Sequence, residues 1–133
     1  MRYLLDTNAC IDIIKRRSER LFTRFQGLRV GEVGISAVTL CELQFGVARS
    51  VQPDRNARAL TAFLGPVEVL DFPADAGVVY GKLRATLQRN GTPIGNLDLL
   101  IAAHALYLGC VLVTNNTREF NRCTGLAVEN WFA

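Results

Sequence analysis

Short apolar runs along this chain are each followed, within a few residues, by a stretch with helical spacing. Arg2 to Leu5 reads as an opening strand, and Ala9 to Lys15 as a helix with Ile11, Ile13 and Ile14 facing inward. Ser18 is placed to cap a second short helix ending near Gly27, and Val33-Gly34-Ile35 reads as a short buried strand. Ser36 then caps a helical run from Ala37 to Val47, and Pro53 suits the first turn of another reaching about Leu64. After Gly65-Pro66 comes a strand from Val67 to Leu70, then a long helix from about Pro73 to Asn90 that Gly91 stops. Leu97 to Leu108 is the strongest helical pattern, ended by Gly109; Val111 to Thr114 and Ala127 to Glu129 read as strands, with a polar loop from Asn115 to Phe120 between them.

Strands alternating with helices predict an α/β fold with a mainly parallel central sheet flanked by helices, since each crossover helix returns the chain to the same sheet edge. In such sheets sites form beyond the carboxyl ends of the strands. Residues just after strands and at the starts of the following helices are therefore the ones to read for chemistry.

Composition narrows the class. The chain has 133 residues, 50% of them hydrophobic and 20% charged, which excludes intrinsic disorder and suits a single domain over residues 1–133. The longest apolar stretch, Leu97 to Leu112, is broken by Asp98, His104 and Gly109, so no segment approaches the roughly 20 apolar residues of a membrane span. Asp6 follows the start too closely for a signal-peptide core, so a cytoplasmic location is expected. Cys10, Cys41, Cys110 and Cys123 form no CxxC pair and have no histidine at zinc spacing; they read as reduced core thiols. The lone His104 supports neither a histidine metal cluster nor a Ser-His-Asp order, and reads as a core or interface residue.

Carboxylates remain. Asp6 ends the first strand and is followed by Thr7 and Asn8, where an N-cap role explains it about as well as chemistry does. Glu42 interrupts an apolar helix, with Val38 and Phe45 on its own side, and a buried charge there needs a cation or hydrogen bonds. Asp98 opens the strongest helix, where complementing the helix dipole is the plainer account. After the strand ending in Thr114, the loop Asn115-Asn116-Thr117-Arg118-Glu119 brings amides and one more carboxylate. Four independent caps would not require that all four places fall on one edge of a parallel sheet.

An oxygen-rich, histidine-free set suits a hard divalent cation such as Mg²⁺ or Mn²⁺. Such an ion activates a phosphodiester as a Lewis acid and a water for in-line attack on phosphorus. Setting Asp6, Glu42, Asp98 and Glu119 aside leaves eight acids against fifteen Lys and Arg, a basic remainder that fits a polyanionic substrate. Arg16, Arg17, Arg20 and Arg24 cluster after the first helix; a solvated helix face accounts for them as well as an RNA contact does.

Leu4-Leu5-Asp6-Thr7-Asn8, Ser36 to Leu43 with Glu42, Ile94-Gly95 through Asp98 to Ala105, and Val113-Thr114-Asn115-Asn116 with Glu119-Phe120 follow one another in this order. The set, with the closing Glu129-Asn130-Trp131, resembles the PIN-domain ribonucleases, and more narrowly the VapC toxins of bacterial type II toxin–antitoxin pairs. The resemblance implies Mg²⁺- or Mn²⁺-dependent endonucleolytic cleavage of RNA, often tRNA, with the anticodon stem-loop of initiator tRNA a candidate target. It further implies a VapB-like antitoxin as inhibitor, operator DNA met only through that antitoxin, and a homodimer. Asp6, Glu42 and Asp98 match three acidic ligand positions. At the fourth, many relatives have Asp where this chain has Asn115-Asn116, so either Glu119 supplies the carboxylate with Asn116 assisting, or one metal is held tightly. Thr7, Asn8 and Thr114 fall where groups that orient ligands or water would stand.

Other readings fit less well. A phospho-acceptor receiver domain wants an acidic pair at the first strand and a lysine after a late one, and an Asp-x-Asp phosphatase wants a second carboxylate where Asn8 stands. A non-catalytic RNA- or protein-binding module on the same fold has no need of all three principal acids.

Overall fold

The computed structural model describes residues 1–132. Five strands, β1 (Tyr3–Leu5), β2 (Val33–Ser36), β3 (Glu68–Leu70), β4 (Val111–Val113) and β5 (Val128–Glu129), form one sheet in the order β3-β2-β1-β4-β5, with every pairing parallel. Seven helices connect them: α1 (Thr7–Ile14), α2 (Glu19–Gln26), α3 (Ala37–Ala48), α4 (Pro53–Leu64), α5 (Ala76–Arg89), α6 (Asn96–Leu108) and α7 (Thr117–Phe120).

Strand alternation builds two cores. Tyr3, Leu5, Val33, Ile35 and Val113 point to one face, where Ile13, Leu21, Leu43 and Leu60 cover them from the first four helices. Leu4 and Leu112 point to the other, against Leu83, Leu87, Leu99, Ile101 and Phe120. β1 lies in the middle of the sheet, and its residues are buried on both faces, as an apolar run in a parallel sheet should be.

The predicted caps are in place. Ser18 Oγ accepts the Leu21 amide at 3.2 Å and Ser36 Oγ accepts the Val38 amide at 3.1 Å. Gly109 ends α6 at φ 70°, a left-handed conformation open to glycine without a Cβ penalty. Three expectations change. Pro73 to Asp75 lies outside α5, because the turn ahead of the helix takes those residues. The segment expected as a loop after β4 contains α7, a single turn started by the Asn116 carbonyl accepting the Phe120 amide at 3.2 Å. Cys41 is exposed on α3 rather than in the core, while Cys10, Cys110 and Cys123 are buried, and burial pushes those three thiols up. Among the described residues no helix is long and apolar enough to cross a membrane.

Candidate active site

The central strands β1 and β4 end side by side, the Asp6 amide bonding the Val113 carbonyl at 3.0 Å, and the site is built where they end. Asp6 is a cap first. Its Oδ1 accepts the Ala9 amide at 2.8 Å and so starts α1. The side chain is only 3% exposed, and burial pushes its carboxyl up to about 6. The Thr114 hydroxyl and the Ala9 amide pull it back, and the charges of Asp98 and Asp12 add to the rise.

Asp98 stands in the first turn of α6, whose N-cap, Gly95, supplies no side-chain cap. Burial raises its pKa too, and next come the charges of Glu119 and Glu42. The charges of Glu42 and Glu119 thus reach Asp98, and that of Asp98 reaches Asp6. No lysine or arginine forms an ion pair with any of the four among the described residues.

The two glutamates are held from the side. Thr7 Oγ1 donates to Glu42 Oε1 at 2.6 Å, linking α1 to α3, and Asn116 Nδ2 donates to Glu119 Oε2 at 2.7 Å. Thr114 Oγ1 accepts the Asn116 amide at 2.9 Å, which sets the loop carrying Asn116. Asn8 is exposed and makes no side-chain hydrogen bond among the described residues. Glu42 is half-buried rather than set in apolar surroundings, because Phe45, on its side of α3, is 66% exposed.

The donor set is all oxygen and strongly negative, which suits a hydrated hard cation. As placed, no three Asp, Glu, His or Cys side chains among the described residues close into a ready-made cage, so waters would complete the coordination. The basic cluster divides. Arg17 lies 3.5 Å from Asp12, and the Arg16 guanidinium stacks 3.9 Å over the Phe22 ring. Arg24 sits 4.4 Å over Trp131 and 3.3 Å from Glu129. Arg20 has no side-chain partner among the described residues, and faces a shallow hollow of about 460 Å³ with Thr23 and Asn130.

A groove of about 530 Å³ leads up to Glu42 between α1, α3 and α4. Ile11, Ile14, Leu43, Val47 and Leu60 give it an apolar lining, and Lys15, Arg49 and Arg55 a basic rim. The sequence held a signal for it: Ile11 and Ile14, expected inside, are only partly buried because they turn toward this opening.

A family profile for the PIN domain matches residues 3–126, and the chain belongs to the PIN-domain family. The tRNA(fMet)-specific endonuclease VapC of Salmonella typhimurium is 43% identical over 131 residues, 98% of either chain. Ribonuclease VapC2 of Rickettsia felis is 41% identical over 132 residues, again 98% of each. The crystal structure of DNA-bound VapBC from Salmonella typhimurium superposes with a TM-score of 0.93 at 43% identity over 98% of both chains. Within the family this chain falls among the VapC ribonucleases of toxin–antitoxin systems.

Proposed function

We propose that Asp6, Glu42, Asp98 and Glu119 hold Mg²⁺ or Mn²⁺ and that the chain hydrolyses RNA there. The observation that carries this is an aspartate buried at the end of the central strand, within reach of the Asp98 charge and with no basic partner among the described residues. A divalent ion supplies Lewis-acid activation of the phosphodiester and of the attacking water. The chain's own residues set the stage for it. Asp6 and Asp98 present charge from the end of β1 and the start of α6, and Thr7 and Asn116 orient the glutamates.

The substrate we assign is a structured tRNA, with the initiator anticodon stem-loop as the target, supported by the tRNA(fMet)-specific relative and by the basic remainder of the surface. In-line attack by water leaves 5′-phosphate and 3′-hydroxyl ends. The test is cleavage of purified tRNA with and without EDTA, with sequencing of 5′ ends after brief induction in cells. Undiminished cleavage in excess EDTA, or cyclic 2′,3′-phosphate termini, would sink the mechanism; breaks spread over messenger RNA with tRNA intact would sink the substrate.

The partner is a VapB-like antitoxin, working in the cytoplasm, and operator DNA is reached through it; the similar VapBC assembly was crystallised on DNA. The groove up to Glu42 suits an apolar antitoxin segment carrying acidic residues for the basic rim and an Arg for the carboxylates. Exposed Val78 on α5, with Leu97 and Tyr107 on α6, provides apolar surface for a homodimer. Light scattering that finds only monomer at about tens of micromolar would count against the dimer.

A further inference from the structure

We propose that His104 is a positioning residue whose bond to Ser36 fixes the placement of Glu42 relative to Asp98; this rests on the reading of those carboxylates as the cation site. His104 lies on α6 and Ser36 at the start of α3, both 0% exposed, with Nδ1 and Oγ 2.8 Å apart. The Ser36 oxygen already accepts the Val38 amide. Were the ring to donate to Ser36 as well, the hydroxyl hydrogen and the Nε2 lone pair would both be buried without a protein partner. With Ser36 donating to Nδ1, only the Nε2–H is left over. The second arrangement leaves fewer unpaired groups and requires a neutral ring, which burial favours. Phe72 walls the ring edge-on, centroids 5.2 Å apart, so the Ser36 bond is its one polar anchor among the described residues.

The place of this bond gives it leverage. Ser36, the last residue of β2 and the N-cap of α3, precedes Glu42 by six residues, and His104 follows Asp98 by six on α6. The bond therefore stands about 9 Å along each helix from a carboxylate. α3 packs directly on α6, and apolar packing alone allows small slides that a directional buried bond forbids. A shift of about 1 Å between the helices is enough to spoil a ligand set, which works within roughly 0.5 Å.

Two amide variants separate this from a general packing role. The Asn amide ends where Nδ1 stands, whereas the Gln amide reaches toward Nε2, so His104→Asn keeps the bond and His104→Gln loses it. Mn²⁺ is titrated into the full chain without RNA by electron paramagnetic resonance, and hydrogen exchange is followed over residues 37–43. The Gln variant is expected to weaken Mn²⁺ binding at least about tenfold and speed exchange at the start of α3. The Asn variant is expected to stay within about threefold of the original chain; Ser36→Ala, which also removes the cap on the Val38 amide, is expected to lose at least as much as the Gln variant, with His104→Gln adding no further loss in the double variant. Equal Mn²⁺ affinity in the Gln variant and the original chain, or equal loss in Asn and Gln, would overturn the proposal. If the original chain binds no Mn²⁺, the cation reading falls, and the exchange contrast between Asn and Gln still decides whether the bond locks α3. Should the Gln variant fail to fold, His104→Leu, which matches Asn in shape but has no polar atom, set against His104→Asn carries the same contrast.

Discussion

The aspartates and the glutamates of the candidate site are positioned by different means. Asp6 and Asp98 are short side chains carried close to the backbone, one at the end of the central strand and one in the first turn of α6, and burial raises both. Glu42 and Glu119 project from α3 and α7 and are fixed by a donor from another side chain, Thr7 or Asn116. The aspartates are placed by the fold itself; the glutamates are placed by single hydrogen bonds added to it. Charge at a position set by backbone is costly to hold without a cation, whereas a glutamate on a longer stem adjusts.

That difference orders the expected effects. Asp6→Asn and Asp98→Asn should lower cleavage at least about 10³-fold, since each removes a ligand charge at a fixed point. Glu42→Gln and Glu119→Gln should cost about 10²-fold, because the remaining amide oxygen stays held near its place. Single-turnover cleavage of tRNA at fixed Mg²⁺ checks the ranking. Equal losses at all four positions would erase the contrast between the two pairs.

The sequence made the aspartates legible because strand ends and helix starts are what apolar periodicity reports best. Asp6 after Tyr3-Leu4-Leu5 and Asp98 before Leu99-Leu100-Ile101 are read from local pattern alone. The glutamate supports are less visible. Thr7 and Glu42 are 35 residues apart, and no local rule pairs them. α7 was hidden because four residues are too few to show a helical period. Cys41 misled because it sits in an apolar run on a helix whose outer face is also apolar, as exposed Phe45 shows. The Ser36–His104 bond spans 68 residues and joins two side chains that each look ordinary in sequence.

The aspartate side of the comparison also predicts how stability follows pH. Asp6 has a folded pKa of about 6 against an ordinary 3.8, so between those values the folded chain binds more protons than the unfolded one. Without a cation, the stability that the Asp6 carboxyl contributes is present in full below about pH 4 and is lost as pH rises through about 6, the shift being worth up to about 3 kcal/mol. Melting of the original chain in EDTA should therefore fall between pH 5 and pH 7 by several degrees, on the order expected for a chain of this size. Asp6→Asn keeps the cap to Ala9 and should lack that fall, melting higher than the original chain at pH 7. Adding Mg²⁺ should raise the melting temperature of the original chain and leave the variant unmoved. A flat pH profile in EDTA would remove the claim that Asp6 is held at a cost.

The smallest effect tests the glutamate side. Thr7 begins α1, and its hydroxyl is the donor that links this helix to Glu42 on α3. Thr7→Val keeps the shape and the β-branch but deletes the donor, so Glu42 regains the freedom of its stem without losing its charge. Cleavage should fall about tenfold, the scale for removing a partner that orients a ligand, and a higher Mg²⁺ concentration should recover part of it. Thr7→Ser restores a hydroxyl at the same atom and should return most of the rate. If Val and Ser behave alike, the 2.6 Å bond has no part in placing Glu42, and the glutamate would have to be positioned by α3 alone, as the aspartates are by β1 and α6.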